Sequence, residues 1–449
     1  MNIIVVGAGR VGYTVAEVLS SSHDIMMVER DAAKAEVVKN QLNISVLHDD
    51  GANPKVLRNA ISRHKADTVI ATTAADDENL FICMMCKRID PGIKTIARVR
   101  NPDYYIETSA DGKEGVDQLI KPELTSADKI ATLALLENAI DYESIESLNL
   151  SIAIFEVTKH NPGVENRVPL TLDIPANTGI VAIYRGDQVI TDVETTELHL
   201  GDRIFVLGDY GGLEAFNEMM GVRRRAKEFV ILGGGITGAH VAGILESKKR
   251  YVKLIEPDPE RCKKLVRDFS SVIVVNGDIV DPHLLKNENI GRADAVIALS
   301  HKDETNLLAC HMAIKLGSPK IIARYSLMDY EDIFEFTGIR TVIGYHRVVA
   351  NEITKTMVSD EESVLRMKNP EEVFFTSDVG MRSKLLGARL GDVGLPPGVR
   401  IACIVRDGSP VFPKLDTQFL DGDKLLVYAH GANMAKLGKI LGNKMDLGV

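Results

Sequence analysis

The sequence carries one glycine-rich pattern twice, once near the start of each half of the chain. The first copy is Gly7-Ala8-Gly9-Arg10-Val11-Gly12, which directly follows an apolar run over residues 3–6. The second copy is Gly233-Gly234-Gly235-Ile236-Thr237-Gly238, which follows an apolar run over residues 229–232. A G-x-G-x-x-G pattern between a strand and a helix is typical of domains that bind the pyrophosphate of a dinucleotide. The repetition therefore predicts two nucleotide-binding domains in one chain.

Other residues recur in the same order in both halves. The sequence Ala-Asp-x-Val-Ile-Ala occupies residues 66–71 and again residues 293–298. Further downstream, the pair Gly201-Asp202 corresponds to Gly422-Asp423, at a slightly shorter spacing than the glycine patterns. Small changes in spacing between matched segments indicate short insertions and deletions between two copies of one ancestral unit. We conclude that the chain is a tandem duplication of a module of about half its length.

Each copy changes character partway along. Short apolar segments first alternate with helical spacing, which predicts a Rossmann-like, doubly wound parallel sheet with helices on both faces. A helix and several short strands follow, which predict a small α+β domain. We expect these helices over 126–142 and 346–357, packed either between the modules or inside their own domains. The predicted domains are residues 1–137, 138–224, 225–362 and 363–449.

An acidic residue ends the second apolar segment of each copy. These residues are Glu29 and Glu256. A carboxylate about 20 residues after the glycines accepts hydrogen bonds from the ribose hydroxyls and disfavours a 2′-phosphate. The predicted ligand is therefore NAD(H) or another adenosine nucleotide. Arg30 directly follows Glu29 and slightly weakens the exclusion of a 2′-phosphate, although a solvated surface charge is its simpler interpretation.

Further candidate residues follow later strands of each copy. Asp50 and Asp278 come after the third strand and either contact adenine or form a turn. Arg98 and Arg324 end a later strand and suit either a phosphate contact or an ion pair between domains. The residues after the fourth strand that would face a ligand are Thr73, Ala74, Ser300 and His301.

The two glycine patterns differ where Arg10 in the first copy is replaced by Ile236 in the second. An arginine at this position could reach a phosphate, whereas an isoleucine could not. We therefore hypothesise that the two sites differ in nucleotide preference or affinity. The acids over residues 76–78 we interpret as helix-capping residues, because a helix start favours negative charge, and we assign no metal site.

Composition narrows the function classes. A formal net charge of −10 argues against nucleic acid as a partner. No apolar run approaches the roughly 18 residues that span a bilayer, and no signal peptide opens the chain. We therefore expect a cytoplasmic protein that reaches a membrane only through a partner. The five cysteines fit a reducing compartment, and Cys83 and Cys86 lack the second pair of a zinc site, so we expect them in a core.

The residues do not predict catalysis. A dehydrogenase needs a general acid or base and a sizeable substrate domain, and no histidine is repeated at a matched position. We therefore predict a chain that binds nucleotide without converting it. Two alternatives stay open, namely an NAD-dependent oxidoreductase and a nucleotide sensor for a different transporter.

The duplicated patterns, the two glutamates, the segment over residues 98–104 and the β-rich tail of each copy resemble the TrkA family. The resemblance covers essentially the whole chain. It implies a peripheral cytoplasmic subunit of a Trk-type potassium uptake system, built from two regulator-of-conductance (RCK) modules. Each module would comprise a nucleotide-binding N-terminal domain and a smaller TrkA-C domain.

The resemblance also implies ligands, partners and contacts. The ligands would be NAD(H) and ATP or ADP, and the subunits would form a ring beneath an integral membrane subunit such as TrkH. The implied contacts lie in the two glycine patterns, at Glu29 and Glu256, after the fourth strands, and at Arg98 and Arg324. One departure is Asp49-Asp50, where the second copy has Gly277-Asp278, which leaves the first adenine contact open.

Overall fold

The computed structural model describes most of the chain. The described residues are 1–20, 23–105, 115–145, 148–221, 226–357, 365–366, 372–381 and 383–430. Within them, the strands form four sheets, two of them parallel and two antiparallel. We call these sheets I to IV in chain order, with sheets I and II forming module 1 and sheets III and IV forming module 2.

Sheet I is a parallel sheet with helices on both faces. Its strands are β1 (Asn2–Val6), β2 (Asp24–Glu29), β3 (Ser45–His48), β4 (Thr68–Ala71), β5 (Lys94–Arg98) and β6 (Gln118–Ile120). Their order is β3-β2-β1-β4-β5-β6, as in a doubly wound dinucleotide-binding domain. The helices of this part of the chain are α1 (Arg10–Ser20), α2 (Ala32–Gln41), α3 (Pro54–His64), α4 (Asp76–Ile89) and α5 (Pro122–Leu135).

Sheet III repeats this plan with the same strand order. Its strands are β12 (Glu228–Leu232), β13 (Tyr251–Glu256), β14 (Ile273–Asn276), β15 (Ala295–Ala298), β16 (Ile321–Tyr325) and β17 (Thr341–Gly344). Its helices are α7 (Ile236–Ser247), α8 (Pro259–Asp268), α9 (Pro282–Asn287), α10 (Asp303–Leu316), α11 (Asp329–Phe336) and α12 (Tyr345–Met357). The predicted duplication of a doubly wound fold is confirmed.

Sheets II and IV are small and antiparallel, as predicted for the second domain of each copy. Sheet II contains β7 (Ala139–Ile145), β8 (Leu150–Glu156), β9 (Thr178–Arg185), β10 (Gln188–Ile190) and β11 (Arg203–Gly208), and α6 (Tyr210–Met219) follows it. Sheet IV contains β18 (Leu365–Arg366), β19 (Glu372–Asp378), β20 (Val399–Arg406), β21 (Ser409–Val411) and β22 (Lys424–His430). The two sheets share a core that includes Phe205 and Tyr428, so the small domains pack on each other.

The repeated Gly-Asp pair has the same structural role in both small domains. Asp202 is buried and accepts hydrogen bonds from the guanidinium of Arg185 at 2.7 and 2.9 Å. Asp423 accepts the same two bonds from Arg406 at 2.7 and 2.8 Å. A buried carboxylate needs such a bidentate partner. This pair therefore stabilises the turn before β11 and before β22.

The two modules exchange helices. The face of sheet I that carries Ile3 and Val5 packs against α1 of its own module and against α12 of module 2. In return, α5 of module 1 packs in the core of sheet III, beside α7. Each parallel sheet is therefore covered on one face partly by a helix from the other module. The two amphipathic helices thus pack between the modules, one of the two placements left open above.

The predicted helix over 126–142 is wrong in its second half. Helix α5 begins at Pro122, whose fixed φ suits the first helical position, and it ends at Leu135. The residues from Ala139 to Ile145 instead form β7, which pairs antiparallel with β8. The apolar stripe continues past residue 135, so helical periodicity alone could not reveal this competing strand partner.

Two of the three predicted boundaries between domains, at residues 224/225 and 362/363, fall outside the described residues. In the described part of the chain, no helix is long and apolar enough to cross a membrane.

Candidate functional site

The glycine patterns form tight turns between the first strand and first helix of each parallel sheet. Gly7 and Gly233 have φ angles of +99° and +113°, which side chains rarely tolerate. A Cβ on Gly12 would lie 1.9 Å from the carbonyl oxygen of Gly7, so only glycine lets this helix approach the turn. A Cβ on Gly9 would meet no atom within 4 Å, which leaves space above the helix N-terminus. Such a terminus presents N–H groups to an anion.

The remaining residues of the patterns divide between the core and the surface. Val11 and Thr237 are buried, whereas Arg10 and Ile236 are exposed at the first positions of α1 and α7. In the second copy, Gly238 lies against Gly233 as Gly12 lies against Gly7, and Gly235 lies beside the His301 ring. The residues that donate N–H groups to the acids described next are Ala8 and Gly234.

Glu29 and Glu256, the two acids predicted to contact ribose, are buried and held in place by backbone amides. Glu29 accepts from Ala8 N at 2.5 Å with one oxygen and from Asp31 N at 2.7 Å with the other. Glu256 accepts from Gly234 N at 2.6 Å and from Asp258 N at 2.9 Å. Both oxygens of Glu29 and Oε2 of Glu256 have a second lone pair that can accept a ribose hydroxyl, whereas Oε1 of Glu256 also accepts from Arg261 at 3.2 Å. The two acids are therefore fixed next to the glycine turns.

Asp50 and Asp278 have the turn-forming contacts that were one of their two interpretations. The side chain of Asp50 accepts from Ala52 N at 3.0 Å, and that of Asp278 accepts from Val280 N at 3.0 Å. An aspartate that bonds the amide two residues on stabilises a turn. A contact with adenine stays a prediction for both residues.

Two buried asparagines support the loops after the fourth strands. Asn79 accepts from Thr73 N at 2.8 Å and donates to the carbonyl oxygen of Arg98 at 2.9 Å. Asn306 makes the same pair of bonds to Ser300 and Arg324, at 2.7 and 2.8 Å. Each asparagine therefore joins a ligand-facing loop to the end of the next strand. Sequence analysis did not assign these residues a role, although their matched positions in the two copies were a signal.

The interpretation of the acids over 76–78 as helix caps is wrong for Asp76. The cap position of α4 is Ala75, and no side chain caps the helix. Asp76 instead accepts from Asn101 N at 2.8 Å, and Asp303 accepts from Leu327 N at 2.8 Å. The dipole argument missed this because the acid is used by the loop after the fifth strand, which is remote in sequence.

The first site is an open cleft with a cavity volume of about 110 Å³. It is lined by the glycine turn, both acids of the first copy and the loop after β4, which brings most predicted residues of this copy together. Two cations, Arg30 and Lys34, also line it. The lining residues that were predicted are Gly7, Gly9, Glu29, Asp50, Thr73 and Ala74. At the second site the corresponding positions hold Pro257 and Arg261, and Arg261 pairs with Glu256 at 3.2 Å.

Arg98 and Arg324 come from different modules and meet across the interface between them. Both guanidinium groups lie over the ring of Tyr345, at 5.7 and 4.5 Å from its centre. The Tyr345 hydroxyl donates to Glu123 at 3.0 Å. Burial raises the pKa of Glu123 and lowers the pKa of Arg324. The cluster therefore brings buried ionisable side chains of both modules together at the interface between them.

This interface cluster contains buried polar atoms without partners. Within the described residues, Nε of Arg98, Nε of Arg324 and the second carboxylate oxygen of Glu123 have no hydrogen-bond partner. Unpaired buried polar atoms cost free energy and usually indicate a missing water, ion or ligand group. Arg98 also reaches the carbonyl oxygen of Thr73 at 3.5 Å, so it touches the loop of the first site. The two arginine Nε–H groups are donors that fit a negatively charged ligand, whereas the Glu123 oxygen is an acceptor that fits a water or a hydroxyl group.

His346 follows Tyr345 on α12, is 1% exposed and lies against the Tyr325 ring at 5.6 Å. Burial, reinforced by Arg347, lowers the pKa of His346 to about 4. In the unfolded chain the imidazole of His346 becomes protonated below pH about 6.5, whereas in the folded chain it stays neutral down to a lower pH. Stability should therefore fall as the pH falls from 6.5 to 4, by roughly 3 kcal/mol from this group.

Urea unfolding of the wild type and of His346→Phe across this pH range would measure that contribution. We expect the variant to lose much less stability on acidification than the wild type. His283→Phe, at an exposed helical position, controls for the loss of an imidazole. Equal pH slopes for the wild type and His346→Phe would contradict the assignment.

The described residues contain no cluster of three or more His, Cys, Asp or Glu side chains suited to a metal ion. Cys83 and Cys86 are buried in the core of sheet I, as expected. Burial raises the pKa of Cys86 to about 12, which keeps the thiol protonated.

The family comparisons agree with the resemblance noted above. The TrkA-N domain model matches residues 3–122 and 229–345, and the TrkA-C domain model matches residues 377–442. The chain is 31% identical over 447 residues to the Trk system potassium uptake protein TrkA homolog of Archaeoglobus fulgidus, covering 98% of this chain and 100% of the relative. It is 29% identical to the Trk system potassium uptake protein TrkA of Vibrio alginolyticus, with 95% of each chain covered.

Solved structures show the same fold. The chain is similar to the RCK domain of GsuK, with a TM-score of 0.62, 18% identity, and 98% and 95% of the two chains covered. It is also similar to the GsuK channel bound to NAD, with a TM-score of 0.62, 18% identity, and coverage of 98% and 79%. At this identity the likeness concerns architecture. Two Rossmann-like domains, each with a small companion, thus form an arrangement already seen in a channel protein.

Proposed function

Because this chain belongs to the TrkA family, we propose that it is a regulatory subunit of a potassium uptake system. In this proposal it binds NAD(H), ATP or ADP and gates an integral membrane potassium channel or transporter subunit, TrkH-like in the family resemblance. The observation that carries the proposal is the pair of glycine-turn sites whose buried arginines meet at Tyr345. Ligands at two such sites can bias one interface between modules.

The proposed nucleotide contacts use the same parts in both modules. The turn amides at the start of α1 and of α7 would hold the phosphates, and the fixed carboxylates of Glu29 and Glu256 would accept the ribose hydroxyls. Fit is supported by the open space above Gly9 and by the unpaired Nε atoms of Arg98 and Arg324. These arginines would neutralise phosphate charge. A bound nucleotide would supply negative charge at the interface. The residues that respond to this charge would change the arrangement of the two modules.

Gating requires that the nucleotide bind one arrangement of the modules more tightly than another. Arg98 and Arg324 belong to different modules, so a phosphate that contacts either one changes the charge balance around Tyr345 and Glu123. The exchanged helices α5 and α12 would carry this change, because each is packed in the core of the other module. A decisive switch needs about 5.5 kcal/mol of differential binding, which several coupled sites can supply together.

Ring formation is proposed from exposed apolar side chains on the matched helices α4 and α10 of the two modules. Helix α4 exposes Phe81 and Met84, and helix α10 exposes Leu308 and Ile314. Because the two faces belong to duplicated helices, module 1 of one copy can meet module 2 of the next. Such head-to-tail contacts close into a ring when the rotation allows. We place this ring on the cytoplasmic face of the membrane, attached through its partner.

We propose four domains, with residues 1–137 and 225–362 binding nucleotide and residues 138–224 and 363–449 forming the companion domains. We also propose that the chain is not an enzyme. The second domain of each module is a small antiparallel sheet, and the two small domains pack on one another instead of facing the glycine turns as substrate domains. An oxidoreductase would need an open substrate surface beside the nicotinamide.

Calorimetry of the purified full chain with NADH and with ATP would test this function, combined with absorbance at the NADH band. We expect saturable binding and no consumption of NADH. Consumption of NADH with a small substrate would favour an oxidoreductase, and absence of binding by both nucleotides would refute the regulatory proposal.

Exchanging the residues that differ between the two glycine patterns should exchange site preference. Arg10→Ile should weaken ATP binding at the first site about three- to tenfold, because an exposed charge contact contributes about 1 kcal/mol. Ile236→Arg should strengthen ATP binding at the second site, and both variants should change NADH affinity less. Titration in Glu256→Arg and Glu29→Arg backgrounds isolates the first and second site, respectively. Identical ATP affinities with arginine or isoleucine would contradict the assignment.

A further inference from the structure

A buried lysine of module 2 lies at the end of helix α5 of module 1. The Lys320 ammonium donates to the carbonyl oxygens of Leu136 at 2.6 Å, of Ala139 at 2.8 Å and of Glu137 at 3.3 Å. Lys320 is 8% exposed. Three donors on one ammonium match three carbonyl oxygens at a helix C-terminus, where positive charge is favoured.

These carbonyls belong to the connection between the two domains of module 1. Helix α5 ends at Leu135, and strand β7 of sheet II begins at Ala139. Between them, Asn138 N donates to the side chain of Asn217 at 2.9 Å, which ties the connection to α6. The position of residues 136–139 therefore sets where sheet II lies relative to module 2.

The same lysine is connected to the second candidate site through strand β16. Lys320 immediately precedes β16, whose fourth residue is Arg324. The two residues are about 13 Å apart along an extended strand. Arg324 lies over Tyr345, which bonds Glu123 in the first turn of α5. Residues at the two ends of β16 in module 2 therefore contact both ends of helix α5 in module 1, with Lys320 at the C-terminus of the helix and Arg324, through Tyr345, at its N-terminus.

The duplicated position in module 1 makes a contact of the same kind. Lys94, the first residue of β5, donates to the carbonyl oxygen of Thr356 in the last turn of α12. Lys94 is half-buried, whereas Lys320 is buried. The reciprocal placement indicates that the contact comes with the exchange of helices.

We propose that Lys320 is a positioning residue that couples nucleotide occupancy at Arg324 to the connection over residues 136–139. The proposal rests on the proposed function, because it requires a nucleotide at the second site. Strand β16 is paired on both sides, with β15 and β17. In this proposal the strand shifts as one body. When a phosphate draws Arg324, Lys320 moves with it, and the three carbonyls follow because a buried ammonium separated from them would lose its hydrogen bonds.

An ordinary helix-capping role would make a different prediction. A cap only stabilises residues 136–139, so its loss would loosen them equally with and without nucleotide. A coupling role makes the response of these residues to nucleotide depend on Lys320. The discriminating quantity is therefore the nucleotide-induced change and not the baseline.

The experiment is amide hydrogen exchange of the full chain at residues 136–139, with and without saturating NADH or ATP. Suitable amides are Leu136 N and Ala139 N, which are hydrogen-bonded to Thr132 O and Leu136 O. In the wild type we expect nucleotide to change their exchange rates at least threefold. In Lys320→Met we expect nucleotide to bind within about threefold of wild-type affinity while this change is lost.

Lys94→Met is the matched control and should keep the response at residues 136–139. Lys320→Gln, whose amide can still donate two hydrogen bonds, should recover part of it and serves if Lys320→Met fails to fold. A full response in a folded, nucleotide-binding Lys320 variant overturns the inference and leaves the proposed function intact. Absence of nucleotide binding by the wild type overturns both.

Discussion

Residues 1–221 expressed alone are expected to self-associate and not to remain a stable monomer. Helix α12 of module 2 covers one face of sheet I, and without it the buried side chains of that face meet water. The buried residues lost from this core are Tyr345, Val349, Ala350, Ile353 and Met357. At roughly 1.5–3 kcal/mol for each large apolar side chain, the loss is comparable to the whole stability of a typical domain.

The duplication indicates what the isolated half would do instead. Helix α5 is the counterpart of α12 and packs on the other module's sheet in the same way. A second copy of residues 1–221 can therefore offer its own α5 to the uncovered face, which gives a dimer by helix exchange. Sedimentation equilibrium would measure the association, and co-expression with residues 226–449 should restore a one-to-one complex. A monomeric first half as stable as the full chain would contradict the exchange.

Glu29→Arg is expected to lower nucleotide affinity at the first site at least about 100-fold. The wild-type carboxylate accepts two backbone amides beside the glycine turn and is predicted to accept the ribose hydroxyls. Loss of two charge-assisted hydrogen bonds costs about 3 kcal/mol or more, and a 100-fold change in affinity corresponds to about 2.7 kcal/mol. Glu256→Arg should have the same effect at the second site.

Calorimetry with NADH would measure both changes in the full chain. Glu17→Arg is the matched control, because it makes the same charge change on the exposed side of α1. We expect Glu17→Arg to bind like the wild type, and the single variants Glu29→Arg and Glu256→Arg each to retain one site. Unchanged affinity in Glu29→Arg and Glu256→Arg would contradict the prediction that these two carboxylates bind the ribose hydroxyls.

The parts of this molecule that depend on local sequence were predictable. The turn needs a positive φ at position 7 and a close approach of the helix at position 12. Only glycine meets both requirements, so the sequence shows glycines at a fixed spacing after a strand. Buried parallel strands are short apolar runs, so the duplicated order of sheets I and III followed from the pattern. The two acids at the ends of β2 and β13 were found for the same reason. Their ligand contacts stay predictions.

The parts that depend on contacts remote in sequence were not predictable. An amphipathic stripe reports that α5 is buried on one side and does not report which sheet it covers. The end of this helix was misplaced because β7 is selected by pairing with β8. Asp76 was misassigned because its partner, Asn101 N, lies on another loop. Tyr345, Glu123 and Lys320 carried no motif, and their roles exist only at the interface between modules.

We propose that nucleotide binding by this chain regulates potassium uptake. The most direct measurement is potassium uptake by source cells that lack the gene and carry either the wild type or the double variant Glu29→Arg, Glu256→Arg. We expect that deletion changes the uptake rate, that the wild type restores it, and that the double variant, present in equal amount, does not. Uptake that is unaffected by deletion, or that the double variant restores fully, would contradict this proposal.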